Sequence, residues 1–110
     1  MKADVLEHLR RNHELCQLPG GREGVRVLVQ YAGPVPATTR RDRQVWLEKR
    51  FTELASELGE LGVQIQANQV SGSAQTVTAI VPVDQYDRAD AQLSHWGCRA
   101  IVDYRDQVAW

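Results

Sequence analysis

Three arginines lie together where the sequence predicts the start of a long helix. The stretch TTRRDR places Arg40, Arg41 and Arg43 in the first helical turn, where free backbone N–H groups and the helix dipole already create a positive potential. Each guanidinium presents a planar set of donors that matches a carboxylate or a phosphate. Three interpretations follow: a solvated surface with a small electrostatic cost, a site for a small anionic ligand, or a surface that binds acidic residues of a second chain.

The spacing His-x-x-Cys occurs twice, as His13 with Cys16 and as His95 with Cys98. Two imidazole nitrogens and two sulfurs are a tetrahedral ligand set for zinc, although most zinc sites keep their cysteines and histidines in closer pairs. In addition, Cys98 is predicted to begin a strand. We therefore expect four unligated side chains and no cofactor, with a zinc site as the alternative.

No arrangement of residues typical of a catalytic site is present. The sequence contains no P-loop, no nucleophile elbow and no glycine-rich dinucleotide fingerprint. His8, His13 and His95 could act as acids or bases, but none has an evident partner in the sequence. The sequence therefore favours a non-catalytic protein.

Composition limits the classes of partner. A chain of 110 residues is most simply one domain, and its formal net charge of -1 provides no global positive field for nucleic acid or anionic lipid. The opening stretch MKADVLEHLRR lacks the apolar run of a secretory signal, and no segment is apolar for long enough to span a bilayer. Two cysteines are too few for a disulfide framework. We therefore expect a cytoplasmic protein with neither a membrane nor a nucleic-acid partner.

The N-terminal segment is predicted to lie outside the main domain. Residues 3–17 repeat apolar positions at steps of three and four, which predicts a short amphipathic helix. The stretch LPGGREG, with one proline and three glycines, ends this helix. We therefore predict a helical appendage over residues 1–18, a linker over residues 19–24 and a domain over residues 25–110.

One long helix is the most regular predicted element. Thr39 and Asp42 resemble a capping box and Gly62 is suited to end the helix, which predicts a helix over residues 40–61. Such a helix packs one apolar face on a core. Its apolar positions repeat at steps of four and three: Leu47, Phe51, Leu54, Leu58 and Leu61.

Strands and a second helix account for the rest of the chain. The stretches VRVLVQYAG, GVQIQANQV, TVTAIVPV and CRAIVDY are predicted strands, with SGSAQ as a hairpin turn between the second and the third. The final QVAW is predicted to continue an edge strand. A second helix is predicted to begin after Asp84 as its cap. Its buried stripe is predicted to consist of Tyr86, Ala89, Leu93 and Trp96.

The order of these elements predicts the fold. Strand, helix, strand, strand, helix, strand gives the ferredoxin-like βαββαβ arrangement, an α+β sandwich in which a four-stranded antiparallel sheet carries two helices on one face. Trp46, Trp96 and Trp110 are expected to be packing residues. The other sheet face lacks aromatic residues at its central positions, which argues against the RNA binding known for this topology. Its predicted residues are Arg26, Gln30, Gln64, Gln66, Asn68, Thr76, Thr78 and Arg99, with Leu28 and Ile101 among them.

Residues 25–110 resemble the ACT domains, small regulatory modules that bind amino acids. The resemblance is carried by LGVQI after the first helix, by the strand TAIVPV, by a second helix ending in LSHWGCRAIV and by the late segment DQVAW. It implies a ligand at a subunit interface, near Gly33 and the start of the first helix in one copy. Asn68 and Val70 of another copy would face that ligand. The predicted ligand-binding residues are thus Gly33, Arg40, Arg41, Arg43, Asn68 and Val70.

Self-association is the function that these features favour. The arginines at the start of the long helix could lie beside Glu53, Glu57 and Glu60 of an antiparallel second copy. We therefore expect a small regulatory or interaction module that forms a homodimer through helix 40–61 or through a sheet edge. A sensor of amino acids or other small anions is the main alternative. A metal-binding protein or small enzyme that uses the His and Cys residues is the third.

Overall fold

The computed structural model describes residues 1–104. Within this range it contains the helices α1 (Ala3–Arg11), α2 (Arg40–Leu58) and α3 (Tyr86–His95), and the strands β1 (Cys16–Leu18), β2 (Arg22–Tyr31), β3 (Gln64–Ile65), β4 (Thr76–Pro82) and β5 (Cys98–Val102). The strands form one antiparallel sheet that curls into a half-barrel. The predicted α+β class is confirmed, but the sheet described over residues 1–104 has five strands and not the predicted four, because β1 pairs with the start of β2.

Strand β2 lies at the centre of the sheet. Along one edge it pairs with β4, from Gly24 opposite Pro82 to Gln30 opposite Thr76. Its other edge pairs with β1 and then with β5. Gly24 shows this arrangement, since it lies opposite Pro82 of β4 on the first edge and opposite Cys16 of β1 on the second. Strand β3 pairs with the far side of β4. The sheet therefore runs β5, β2, β4, β3, with β1 extending the β5 side.

The three helices bury their apolar residues against one face of this sheet. Alternate residues of a strand point to the same face. On β2 and β4, the residues that point to one face form an apolar cluster with every buried residue of α1, α2 and α3. The other sheet face, called the open face below, takes no part in this cluster. The strand residues of the cluster are Val25, Val27, Val29, Tyr31, Val77, Ala79, Val81 and Cys98, and the helical ones are Leu9, Leu47, Phe51, Leu54, Leu58, Ala89 and Leu93.

Helix α2 begins as predicted and ends slightly earlier. The Asp42 N–H donates to Thr39 Oγ1 at 3.1 Å, which satisfies a free donor of the first turn. At the other end a single 3-10 turn, Gly59–Leu61, follows the helix. Gly62 then adopts a φ of 81°, which favours glycine. The predicted end at residue 61 is thus a tightened turn, and Leu61 is only half-buried.

Helix α1 ends well before the position that the sequence predicts. It stops at Arg11, and His13 adopts a φ of 53°. The Glu14 N–H donates to Leu9 O at 2.9 Å, as in a Schellman motif that closes a helix. The prediction of a helix to residue 17 is therefore wrong, because the chain turns at His13 and extends into β1, Cys16–Leu18.

The segment predicted as a linker consists of a glycine turn and the first residues of β2. A 3-10 turn spans Pro19–Gly21, and β2 already begins at Arg22. Leu9 of α1 is 1% exposed within the same core cluster as β2 and α2. Helix α1 thus contributes to the core, while the division of the chain into an appendage and a domain stays a prediction.

The segment predicted as a strand over residues 62–70 is extended only at β3. A 3-10 turn, Ala67–Gln69, follows. Asparagine is unfavourable in strands, and an edge strand has hydrogen-bonding partners on one side only. Ser71 then pairs with Thr76, and Gln75 between them adopts a φ of 57°. The turn predicted in SGSAQ is confirmed, although the strand before it is short.

The second predicted helix lacks its predicted cap. The N-cap residue of α3 is Gln85, without a side-chain bond, after a 3-10 turn over Val83–Gln85. Asp84 instead accepts a hydrogen bond from Arg22 Nη2 at 2.8 Å, so it joins the start of β2 to this turn. Of the predicted stripe, Ala89 and Leu93 are buried, and Tyr86 and Trp96 are half-buried.

Strand β5 follows a glycine turn. Gly97 adopts a φ of 72°, and Cys98–Val102 then pairs with β2 as a strand. The predicted continuation over QVAW and the predicted packing of Trp110 lie outside the described residues.

Candidate functional site

The three predicted anion-binding arginines differ in environment. Arg40 and Arg41 are exposed, whereas Arg43 is half-buried and its Nη2 donates to Gln75 Oε1 at 2.6 Å. Gln75 Nε2 in turn donates to Tyr31 O at 2.8 Å. Arg43 therefore joins the start of α2 to the end of β2, and only Arg40 and Arg41 project freely from this helix terminus.

Gly33, Asn68 and Val70 occupy two separate segments of the chain. Gly33 lies under the phenol of Tyr31, which leaves no room for a Cβ atom. Asn68 is exposed, and Val70 packs against the core while its carbonyl accepts from Gln44 Nε2 at 3.0 Å. The meeting of these two segments across two copies stays a prediction.

A groove lies between the loop after β2 and the first turns of α2. Its volume is about 500 Å³. Asp42 and Lys49 supply its charged groups, and Val45, which is 56% exposed, and Trp46 supply much of its apolar wall. The predicted arginines do not line it. The signal in the sequence was that Val45 and Trp46 each lie three or four residues from Asp42 and from Lys49, which places the four residues on one face of α2.

A second cluster surrounds the side chain of Arg50. Its guanidinium carbon lies 4.4 Å from the ring centroid of Trp96, 5.8 Å from that of Tyr31 and 6.0 Å from that of Trp46. These distances allow cation–π attraction to each ring. The three rings therefore hold a cation of the chain itself, and the predicted packing roles of Trp46 and Trp96 are confirmed.

One polar bond completes the Arg50 cluster. Trp96 Nε1 donates to Glu57 Oε2 at 2.6 Å, which satisfies the indole N–H. The sequence contained part of this signal, since Trp46 and Arg50 are four residues apart on one helix. It could not show that Trp96 reaches the same place from the end of α3.

The thiol of Cys98 lies buried beside this cluster. Burial raises the pKa of Cys98 to about 11, and the positive charge of Arg50 lowers it only in part. Only a thiolate acts as a nucleophile or binds a metal. At neutral pH this thiol is therefore protonated and unreactive.

Thiol labelling tests the environment of Cys98. In a Cys16→Ser variant at pH 8, we expect Cys98 to react with iodoacetamide about 100-fold more slowly than a thiol of the ordinary pKa of 9.0, because its thiolate fraction is lower by that factor. Unfolding in urea should remove the difference. Equal labelling rates in the folded and the unfolded protein, followed by mass spectrometry, would contradict a buried thiol.

The four residues of the hypothetical zinc site are not gathered. His13 lies exposed at the end of α1 and His95 lies exposed at the end of α3. Cys16 is half-buried on β1, whereas Cys98 is buried. Within residues 1–104, no group of three or more His, Cys, Asp or Glu side chains is placed to hold a metal ion.

The open face of the sheet combines an apolar centre with polar residues around it. Leu28 lies between Thr78 on one side and Ile101 on the other. Next to this row, Arg26 is opposite Ile80. Ile101 on the edge strand β5 is 39% exposed, and within the described residues only Val45 is a more exposed large apolar side chain. Sequence periodicity predicted this face, but not the exposure of Ile101.

No helix among residues 1–104 has the length and apolar character needed to cross a membrane. Comparisons of the chain with family models, with curated proteins and with solved structures found no match.

Proposed function

We propose that this chain is a small non-catalytic regulatory or interaction module of ferredoxin-like, ACT-like topology that acts by self-association. The strand order β5, β2, β4, β3 and the burial of α2 and α3 against one face support this topology. The expected localisation is cytoplasmic.

The open face carries the proposal. Its Ile101 is 39% exposed at the sheet edge, next to Leu28 in the same row. Because Ile101 is 39% exposed, its burial contributes about that fraction of the 1.5–3 kcal/mol for a fully exposed side chain, or roughly 0.6–1.2 kcal/mol in each copy. A second copy bound at this edge would remove the Ile101 side chain from water, and the charged groups around it would set the orientation.

The alternative route through helix 40–61 offers no free backbone groups along its length, because a helix satisfies its own backbone hydrogen bonds. The apolar seam of α2 is already buried in the core, and Val45 is the one large apolar side chain that this helix exposes. Glu57, one of the predicted partners of the arginines, already accepts the bond from Trp96. Exposed ion pairs add about 0–1 kcal/mol each. Within residues 1–104 no strand pairs with the outer edge of β5, so the sheet edge adds backbone hydrogen bonds and is the favoured route.

Solution mass tests self-association. We expect sedimentation velocity to show a dimer whose fraction rises with protein concentration. The Ile101→Lys variant should weaken the dimer at least about tenfold, because it places two ammonium groups at an apolar contact. Val45→Lys is the matched control, since it alters an equally apolar exposed residue on α2, and it should leave the dimer unchanged.

Two results would count against this proposal. A monomer at every concentration would exclude self-association. Loss of the dimer on reversing Arg40, Arg41 and Arg43 to glutamate, with no effect of Ile101→Lys, would assign the contact to α2.

A sensor of small ligands is the second candidate, and the groove of about 500 Å³ beside α2 favours it. Lys49 in the groove and Arg40 and Arg41 near it could bind an amino-acid carboxylate or a phosphate. A thermal-shift screen of amino acids and nucleotides separates the two candidates. Stabilisation by one compound, rising with its concentration, would favour the sensor.

A further inference from the structure

The outer edge of β5 presents an ordered set of free backbone groups. The Asp103 N–H donates to Arg26 O at 3.0 Å, so this residue directs its backbone groups to β2. The direction alternates from residue to residue in an antiparallel sheet. Ala100 and Val102 therefore direct their N–H and C=O groups away from β2, where no strand of residues 1–104 pairs with them.

The side chains along this edge have a self-complementary order. Ile101 lies on the open face opposite Leu28, and side chains two residues away along a strand share its face. Arg99 and Asp103 thus flank Ile101 at equal distances with opposite charges. Arg99 Nε donates to Gln30 Oε1 at 2.9 Å, which holds its guanidinium along the sheet. A strand that carries a cationic, an apolar and an anionic side chain in this order on one face is complementary to an antiparallel copy of itself.

We propose that two copies pair through β5 in antiparallel orientation, with a twofold axis at Ile101. The inference rests on the proposed function and specifies its interface. Ile101 then lies opposite Ile101 of the second copy, and Arg99 lies opposite its Asp103. Ala100 lies opposite Val102 of the second copy and exchanges two backbone hydrogen bonds with it, as the free groups on each edge require. The open faces of both copies join into one continuous surface.

The neighbouring registers are less favourable. Moving the axis by one residue, to Ala100 or Val102, places Ile101 opposite a charged side chain. Moving it by two residues places Arg99 opposite Arg99 or Asp103 opposite Asp103, and like charges directly opposite each other destabilise a strand pair. Only the axis at Ile101 satisfies the backbone, the apolar contact and the charges together.

A cysteine at the axis tests the register directly. Residues opposite each other in a non-hydrogen-bonded antiparallel pair have Cα atoms about 4.5 Å apart, which is within the range of a disulfide. In the full chain with Cys16→Ser, the Ile101→Cys variant should form a covalent dimer on mild oxidation, seen on a non-reducing gel. Val45→Cys, at a more exposed site, should form no covalent dimer and should run as a monomer on the same gel.

Charge reversal tests the same register without a new covalent bond. Arg99→Asp alone and Asp103→Arg alone should each raise the dimer dissociation constant about tenfold, because each converts two attractive pairs into repulsive ones. The double variant restores opposite charges and should return the constant close to the wild-type value. Circular dichroism checks that each variant is folded.

The outcomes separate this inference from the proposed function. A dimer in sedimentation that gives neither the Ile101→Cys cross-link nor rescue by the double reversal would overturn this register and leave self-association standing. A monomer at all concentrations would overturn both. Cross-linking with rescue supports both.

Discussion

Replacing Phe51 with alanine is expected to lower the free energy of unfolding by about 3–5 kcal/mol. The Phe51 side chain is fully buried at the middle of the apolar seam of α2, where it shares one cluster with β2 and β4. Its removal takes away apolar contact area and leaves a cavity that a close-packed core fills only in part. Urea unfolding followed by circular dichroism measures the loss.

The control for this variant is Val45→Ala on the same helix. Val45 is 56% exposed, so we expect a change within about 0.5 kcal/mol. If Phe51→Ala were as mild as Val45→Ala, the packing of α2 against the sheet would be contradicted.

Replacing Leu9 with alanine is expected to cost about 2–5 kcal/mol, although this residue lies in a segment that the sequence predicts as an appendage. Leu9 is 1% exposed in the main core cluster. Its carbonyl also accepts the bond from Glu14 that ends α1. Truncation therefore opens a cavity in the core shared with α2 and the sheet, and urea unfolding should show one transition at a lower midpoint.

Leu6→Ala is the matched control, with the same chemical change in the same helix. Leu6 is only half-buried and takes no part in the core cluster, so its truncation should cost less than Leu9→Ala. Equal, small effects of the two variants, or a separate early transition for α1, would support the appendage.

Elements with strong local signals were predictable. The capping pair Thr39 and Asp42 and the seam from Leu47 to Leu58 specify α2 within about twenty neighbouring residues, because a helix satisfies its backbone locally. The alternating valines of β2 likewise specify a strand with one buried face. Only local information was needed for these elements.

Predictions that depended on distant partners were less successful. The sequence periodicity of residues 3–17 extends past His13, but packing of Leu9 on the core and pairing of Cys16–Leu18 with β2 end the helix at Arg11. Asp84 was predicted as a cap because of its position, and it pairs instead with Arg22, which is 62 residues earlier in the sequence. Neither partner is near in sequence.

The candidate sites also differ in whether a local sequence signal was enough to predict them. The arginines at the start of α2 were visible as a local cluster, yet Arg43 is joined to Gln75. The Arg50 cluster joins rings from β2, α2 and the end of α3. Its assembly depends on the packing of α2 against the sheet.

The sequence by itself determined the α+β class, the long capped helix and the alternation that makes one sheet face apolar, since these follow from side-chain periodicity and local backbone bonds. Tertiary structure alone decided that α1 packs into the core, that Arg50 lies among three aromatic rings and that Ile101 stays exposed. The physical reason is that burial and strand order depend on which distant segments meet, and a one-dimensional pattern of residue types does not contain those distances.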